Sequence, residues 1–188
     1  MIKSKQDYKR FLLAEQNSKS TNFFVLYWKN LFAPTLQFLL LLRTCEYLKN
    51  RRGMYKLLYP IVKYLKYRKG LSLGFSIPEN VADEGLQLPH YGTIVIHPRA
   101  RLGKFCRVHV CVNIGASAGG SEAPQLGDYV YVAPGVKIYG DIKIANKVVI
   151  AANAAVSASF VNEGVMIGGI PAKELKQIDI TNIIKKGN

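Results

Sequence analysis

From Leu126 to Phe160, large aliphatic residues recur every six positions along the chain. A helix repeats at 3.6 residues and a lone strand at 2, so neither accounts for a period of six. One series holds Leu126, Val132, Ile138, Ile144, Ile150 and Val156, and the series four residues later holds Val130, Val136, Ile142, Val148, Ala154 and Phe160. The pattern predicts short strands joined by tight corners around a narrow triangular prism, the parallel β-helix of hexapeptide repeats.

The same phase continues backwards to Ile96, and it is interrupted at three places. Leu88 and Ile96 lie eight residues apart, so a two-residue insertion that contains His90 is expected at that corner. Residues 116–124, rich in Gly and small residues, predict a loop that projects from another corner. A slip of one residue in the phase precedes Ile167.

Residues 1–70 lack the six-residue repeat and are typical of helices. Pro34 is expected to close the second helix, Pro60 to kink or restart the fourth, and residues 70–74 to form a hinge. The predicted helices cover about residues 8–15, 23–31, 35–49 and 55–69. The domain organisation predicted is therefore a helical region at 1–70, a β-helix at 71–173 and a tail at 174–188 that forms a short helix or strand with a frayed end.

Charge divides the 188-residue chain in the same way. Residues 1–70 hold 15 Lys and Arg against 3 Asp and Glu, a net +12, whereas residues 71–188 hold 11 against 9, a net +2. Three cysteines make no disulfide framework, which favours a reducing cytoplasm. The apolar run from Phe38 to Leu42 ends at Arg43, far short of the roughly 20 residues that span a membrane.

The segment at 85–96 reads Gly-Leu-Gln-Leu-Pro-His-Tyr-Gly-Thr-Ile-Val-Ile, and Asn113-Ile114-Gly115-Ala116 and a glycine-containing loop follow it. The repeats end in Ile170-Pro171-Ala172-Lys173. In these motifs, over about residues 70–175, the chain resembles the serine acetyltransferase-like branch of the hexapeptide acyltransferases, above all the polysaccharide O-acetyltransferases of capsule and exopolysaccharide synthesis. The resemblance implies a mainly β fold, a left-handed β-helix after an α-helical N-terminal segment, with acetyl-CoA as donor, no metal, and a homotrimer or a dimer of trimers.

In the family that the chain resembles, the histidine that matches His90 is the general base. It removes the proton from an acceptor hydroxyl, which then attacks the thioester. The chemistry agrees, because such a hydroxyl is scarcely ionised at neutral pH and imidazole has a pKa suited to a base there. Taken alone, a corner histidine bonded to backbone would be the simpler interpretation.

The same resemblance implies a groove for acetyl-CoA along small corner residues. Its matching positions are Ala116, Pro134 and Ala152, with Gly115, Ala133, Ala151 and Gly169 beside them and Lys173 near the CoA phosphates. Each of these small residues is also what a tight β-helix corner needs, and a solvated surface lysine is the simpler interpretation of Lys173.

The acceptor prediction depends on a departure from the family. Serine-specific members carry Asp-Arg-His-Pro at the end of the glycine loop, whereas this chain has Ser121-Glu122-Ala123-Pro124. A glutamate would repel the carboxylate that the arginine binds, so we expect a sugar hydroxyl of a surface polysaccharide or its precursor, on a sugar nucleotide or lipid-linked sugar. The alternatives are a serine O-acetyltransferase of cysteine biosynthesis and a non-catalytic scaffold.

Three further features bear on the surroundings of the site. His97 and His109 are expected on the surface or on the wall of a cleft, and Cys106-x-x-His109-x-Cys111 cannot converge on a metal because the strand turns these side chains to opposite faces. The partner that orients His90 stays open: Phe75 or Ser76 stands at the matching position, and Asp83 and Glu84 are nearby candidates that solvated corner residues would equally explain. The basic, aromatic segment of residues 1–70, here called the leader, favours a cap on the oligomer together with contact at the inner membrane face, and argues against nucleic acid as a partner.

Overall fold

The computed structural model describes residues 1–16, 22–51, 55–180 and 183–184. The described part begins with four helices, α1 (Lys5–Gln16), α2 (Phe23–Lys29), α3 (Pro34–Asn50) and α4 (Tyr55–Leu73). The strands that follow are β1 (Phe75–Ser76), β2 (Ile94–Ile96), β3 (Arg101–Leu102), β4 (Arg107–Val108), β5 (Val112–Gly115), β6 (Gln125–Leu126), β7 (Tyr131–Val132), β8 (Lys137–Tyr139), β9 (Lys143–Ile144), β10 (Val149–Ile150), β11 (Ala155–Val156), β12 (Val165–Gly169) and β13 (Ala172–Gln177).

Successive strands fall in turn on three sheets, which form the faces of a prism. Sheet A contains β1, β2, β5, β8 and β11, sheet B contains β3, β6 and β9, and sheet C contains β4, β7, β10, β12 and β13. All neighbours pair in parallel except β12 and β13. Aliphatic residues of the two predicted series point inward, and Val132, Ile138 and Val148 are fully buried. The predicted β-helix is confirmed.

The register places each predicted irregularity. Ile94 pairs with Val112, eighteen residues on, as three hexapeptides require. Gln87 instead bridges to Arg107, twenty residues on, so the two extra residues lie at the corner that contains His90. Asn113 pairs with Lys137 across twenty-four residues because of the loop at 116–124. Ile150 pairs with Ile167 across seventeen, which is the predicted slip of one.

The helices depart from the predictions at two boundaries. Pro34 does not close α2; it is the first residue of α3, where proline needs no hydrogen-bond partner for its missing N–H. The predicted hinge at 70–74 is wrong, because α4 continues through Pro60 to Leu73. Gly70 is buried inside that helix, and a Cβ there would lie 2.8 Å from the carbonyl oxygen of Phe75, so the glycine serves close packing and not flexibility.

Helix α3 joins the leader to the β-helix. Phe38, Leu39 and Leu42 belong to the same apolar core as the coils, and the ring of Phe38 meets that of Phe75 edge-on at 5.1 Å. One turn further along the helix, the fully buried guanidinium of Arg43 donates to the backbone carbonyls of Ala82 (2.8 Å) and Asp83 (2.7 Å). The leader therefore packs on the β-helix through both apolar and ionic contacts.

The C-terminal segment is part of the fold. Strand β13 adds to β12 in antiparallel register and closes the end of sheet C. Ile180 and Ile184 then pack on Val149 against the outer face of that sheet. The sequence predicted a short helix or a strand in the tail, and the structure contains a strand there. Residues 181–182 and 185–188 of the predicted frayed end lie outside the described residues.

Candidate active site

His90 is exposed on the corner that leads from sheet C to sheet A, here called the His90 corner. Gly92 shapes that corner: its φ of +142° lies in a region that favours glycine, and a Cβ there would come 3.0 Å from Cγ1 of Val110. Its N–H donates to the carbonyl of Leu73 at 2.9 Å. The two-residue insertion therefore holds the imidazole outside the prism on a backbone that is fixed at both sides.

His109 and Tyr131 lie below His90 on the next two coils. The ring centroids of His90 and His109 are 6.0 Å apart, and those of His109 and Tyr131 are 5.0 Å apart. Nε2 of His109 is buried without a hydrogen-bond partner among the described residues. Burial lowers the pKa of His109, and its electrostatic interactions with Arg107 and His90 lower it further, so the ring is neutral at pH 7.

His109 therefore lies half-buried at the surface beside His90, one of the two locations that the sequence allowed. His97 lies at a different corner, between sheets A and B, where its Nδ1 accepts a hydrogen bond from the N–H of Arg99 at 3.2 Å. The sequence could not distinguish the two histidines, because each follows an inward aliphatic residue. Only the register of the coils brings His109, and not His97, to His90.

A cleft of about 470 Å³ opens next to His90, between the β-helix and the leader. Pro89 and Tyr91, the residues on either side of His90, line it, and Arg107 contributes a cation whose Nε donates to Oε1 of Gln87 at 2.8 Å. The leader supplies the opposite wall, which consists of Glu15, Phe32, Ala33, Pro34, Thr35, Leu36 and Leu39. The arrangement offers a polar substrate a bounded space that reaches the His90 corner through Pro89 and Tyr91, whereas the imidazole itself is not among the lining groups.

Five of the candidate CoA residues share the corner position of His90 on successive coils. Ala133 and Pro134 follow β7, and Ala151 and Ala152 follow β10, where the chain leaves sheet C for sheet A. Gly169 ends β12, where the chain turns back into β13. The N–H of Ala133 donates to the backbone carbonyl of Ile150, and the N–H of Ala151 donates to that of Ile167, so these corners stack directly on one another. A Cβ on Gly168 would lie 2.8 Å from that of Ala151. Small residues keep this edge of the prism open.

The other three candidates are distributed differently. Lys173 lies on strand β13, where it pairs with Gly168 of β12, and its side chain is exposed near Gly169 at the end of the His90 edge. Gly115 and Ala116 lie at the corner between sheets A and B, where the loop at 116–124 begins. One chain therefore does not bring Ala116 together with Pro134 and Ala152, because the width of sheet A separates their corners.

The loop at 116–124 contains an ion pair that the sequence did not reveal. Arg99 donates through one guanidinium nitrogen to the carbonyl of Ser121 at 2.9 Å and to the carboxylate of Glu122 at 3.2 Å. Both side chains are more than half exposed. The negative charge of Glu122 is consequently offset by a guanidinium from the preceding coil, which weakens the electrostatic argument against a carboxylate-bearing substrate.

The residues considered as partners of the base are engaged elsewhere or are unsuited to orient it. Phe75 is buried in the core and Ser76 is exposed on β1. The carboxylate of Glu84 pairs with Arg10 at 2.5 Å and with Lys104 at 3.2 Å, and that of Asp83 accepts the N–H of Glu84. The ring that lies next to His90 is that of His109.

The described residues contain no group of three or more His, Cys, Asp or Glu side chains that could hold a metal ion. Cys106 is fully buried, and burial raises the pKa of its thiol to about 12, so it is neither a thiolate ligand nor a nucleophile.

Comparison with known proteins gives one recurring likeness. No protein-family model matches the chain. Serine acetyltransferase of Staphylococcus aureus strain N315 is 32% identical over 94 residues, which are 49% of this chain and 44% of that protein, so the chain matches less than half the length of this relative. The structure is similar to that of soybean serine acetyltransferase complexed with serine (TM-score 0.71, 18% identity, covering 90% of this chain and 70% of that one).

A structure of serine acetyltransferase in complex with CoA is also similar, with a TM-score of 0.61 and 21% identity over 76% of this chain and 57% of that one. At these identities the likeness shows the fold alone. The chain has the fold of the left-handed β-helix acetyltransferases, with a helical segment in front of the coils.

Proposed function

We propose that the protein is an acetyl-CoA-dependent O-acetyltransferase and that His90 is its general base. The observation that carries the proposal is the position of His90. It is exposed on a corner insertion, at the edge of the prism where three later coils carry small residues, and the residues on either side of it line a cleft. A histidine kept for packing would be buried or bonded to the backbone instead. The sequence similarity to serine acetyltransferases supports the same reaction.

The residues present can move the proton that the reaction requires. A nitrogen of the His90 imidazole takes the proton of the acceptor hydroxyl as the oxygen bonds to the acetyl carbonyl carbon. The carbon–sulfur bond then breaks, and the departing CoA thiolate recovers that proton from the imidazolium. The neutral ring of His109 adds no second positive charge beside the imidazolium, which would otherwise disfavour it.

The column at the His90 corner suits an extended donor. Pro134, Ala152 and Gly169 are exposed and small, so a chain such as the pantetheine arm could approach the backbone closely. Because Gly115 and Ala116 lie at a different corner, a complete CoA site needs the loop corner of a second copy beside the His90 corner of the first. We therefore propose a homotrimer with its sites between subunits.

The acceptor that the comparisons favour is the hydroxyl of serine, which reverses the preference drawn from the sequence. The relatives found are serine acetyltransferases, and the Arg99–Glu122 pair reduces the repulsion that a serine carboxylate would meet at the loop. The cation of Arg107 in the cleft is also suited to a carboxylate.

A glycan hydroxyl is the second candidate. The specific observation in its favour is the loop sequence Ser121-Glu122-Ala123-Pro124, which lacks the arginine and histidine of serine-specific enzymes. Exposed aromatic rings of Tyr91 and Phe32 flank the cleft and would tolerate an acceptor larger than an amino acid. A lipid-linked or nucleotide-linked sugar is the form proposed for it.

The compartment proposed for either reaction is the cytoplasm, the source of acetyl-CoA. None of Cys45, Cys106 and Cys111 forms a disulfide, as a reducing compartment would have it.

The test measures CoA thiol release from acetyl-CoA by the purified protein, with L-serine and with a panel of free, nucleotide-linked and lipid-linked sugars, and product mass by spectrometry. We expect turnover with serine, and a loss of about 10²- to 10⁴-fold in His90→Ala. The matched control is His97→Ala, at another corner, which should stay within a few-fold of the unaltered protein.

Each outcome has a distinct meaning. Equal rates for His90→Ala and the unaltered protein would remove His90 from the mechanism. Turnover with a sugar and none with serine would replace the first acceptor by the second. If no acceptor gave thiol release, the protein would be assigned instead to the non-catalytic scaffold alternative.

A further inference from the structure

Helix α4 carries its apolar stripe on the outside. Leu57, Ile61, Tyr64, Leu65 and Leu71 fall within an arc of about 120° around the helix axis, at 3.6 residues per turn, and so lie on one face. Their side chains are between 47% and 73% exposed. The opposite face, which should be the polar one in a surface helix, packs on the protein.

That opposite face is fixed by specific contacts. Lys66, only 12% exposed, donates to the carbonyl of Ile77 and pairs with Glu79, while Gly70 is buried next to Phe38. Lys69 donates to Oε1 of Gln37 at 2.6 Å. The helix therefore cannot rotate to bury its apolar stripe without breaking these bonds.

Helix α2 and the turn after it extend the same surface. Phe24, Trp28 and Phe32 are 71%, 68% and 96% exposed. A cleft of about 500 Å³ runs between the two helices, where Phe24 and Trp28 lie across from Leu65 and Arg68. We call this combined surface of α2, its following turn and α4 the leader face.

The leader face is also uniformly basic. Neither α2 nor α4 contains an acidic residue, and Lys29, Lys56, Lys63 and Arg68 are exposed on them. Arg68 donates to the hydroxyl of Tyr64 at 3.0 Å, which leaves its charge uncompensated in that contact. Aromatic rings beside cations and aliphatic side chains are typical of segments that lie in the interface of a bilayer.

We infer that the leader face docks on an anionic phospholipid surface, an interaction that takes no part in acetyl transfer, although Phe32 borders both the leader face and the cleft. A second copy of the chain is a poorer occupant, because pairing two leader faces would bring cations against cations with no acid on either helix. A nucleic acid would satisfy the cations and stack on the aromatic rings, but it offers nothing apolar to Leu57, Ile61 and Leu71. Lipid supplies both phosphate and hydrocarbon.

The contact would be peripheral. Among the described residues, the helices are all too short or too polar to cross a bilayer. The leader face would insert its apolar stripe at the level of the headgroups, with its cations at the lipid phosphates.

The chain carries its own probe for the test, because Trp28 is its single tryptophan and lies on the leader face. The full-length protein is mixed with vesicles of 30% phosphatidylglycerol in phosphatidylcholine, or of phosphatidylcholine alone. We expect a blue shift of Trp28 emission and co-sedimentation with the anionic vesicles only, and weakening of both by salt.

Two variants and a matched control sharpen the result. Lys56→Glu/Lys63→Glu/Arg68→Glu should weaken binding to anionic vesicles at least about 100-fold, as roughly 1 kcal/mol per cation implies. Leu57→Ser/Ile61→Ser/Leu65→Ser should abolish the blue shift. The control Lys143→Glu/Lys147→Glu/Lys176→Glu changes three exposed lysines of the β-helix by the same charge and should bind almost as the unaltered protein does.

Three results would overturn the inference. One is the absence of vesicle binding by the unaltered protein. Another is oligomer dissociation in the Leu57/Ile61/Leu65 variant, by sedimentation equilibrium, without any vesicle binding, since a second copy would then cover the face. The third is a Trp28 shift with a single-stranded oligonucleotide but not with vesicles. Thiol release with soluble acceptors is measured separately, so failure here leaves the proposed function standing.

Discussion

The leader and the β-helix differ in where they place their apolar side chains. In the coils, aliphatic residues of the six-residue series point inward, and each coil covers the next. In the leader, between residues 22 and 71, lie twelve of the eighteen large hydrophobic side chains that are exposed in the described part of the chain. The two regions also differ in net charge, +12 for residues 1–70 against +2 for the rest. A stacked repeat covers its own apolar surface, whereas the leader presents its surface outward.

The two regions meet at α3, whose apolar side chains enter the β-helix core while Arg43 bonds to both sides of the junction. The guanidinium donates to Glu15 of α1 at 2.8 and 2.5 Å and to Glu46 at 2.8 Å, besides the two carbonyls of the first coil. These contacts make the junction the place where the difference between the regions can be tested most directly.

The largest expected effect is that of Arg43→Ala. The change leaves the buried carboxylates of Glu15 and Glu46 without their cation, and losing one partner of a buried ion pair costs about 3–5 kcal/mol. The free energy of unfolding should fall by that amount in urea titrations. Emission of Trp28 should change at lower urea than far-UV circular dichroism, because the leader separates first.

The control for that prediction is Arg99→Ala, which removes an exposed ion pair worth at most about 1 kcal/mol. Similar small losses for both variants would show that Arg43 does not hold the regions together.

The next largest effect is on the free energy of unfolding when an isoleucine is replaced by alanine in each of the two regions. Ile138 is fully buried between coils, whereas Ile61 is 59% exposed on α4. Ile138→Ala should lower the free energy of unfolding by about 2–5 kcal/mol through lost burial and a cavity. Ile61→Ala should change it by no more than about 0.5 kcal/mol. A loss above 1 kcal/mol for Ile61→Ala, in dilute protein without lipid, would mean that the leader face is covered within the protein itself.

The smallest effect is a pH dependence confined to the β-helix. The pKa of His109 is lowered in the folded state, by burial first and then by Arg107 and His90. The unfolded state therefore binds more protons between the folded value and about 6.5, so this group removes stability as the pH falls through that window. The urea midpoint of His109→Gln relative to that of the unaltered protein should therefore rise as the pH falls from 7 to 5, whatever other groups such as Glu15 add to both proteins. An unchanged difference between the two midpoints would contradict the buried environment of this ring.

The β-helix could be predicted from the sequence because few backbone geometries repeat every six residues. The insertion at His90, the loop at 116–124 and the slip before Ile167 were also readable, since each shifts the phase by a countable number of residues. The hinge at 70–74 was misjudged, because a glycine that serves close packing looks the same in sequence as one that serves flexibility. The Arg99–Glu122 pair could not be found, because its members are 23 residues apart and meet only through the stacking of coils.

The periodicity and phase of the residues are enough to define the prism, the position of its irregular corners and the imidazole that one of them exposes, because both are local properties of the chain. The tertiary structure alone decided which groups surround that imidazole: His109 beneath it, the leader across the cleft, and Ala116 on a different edge. It also decided that the apolar stripe of α4 faces outward. Both depend on how coils and helices pack in space, which the local pattern of residues does not encode.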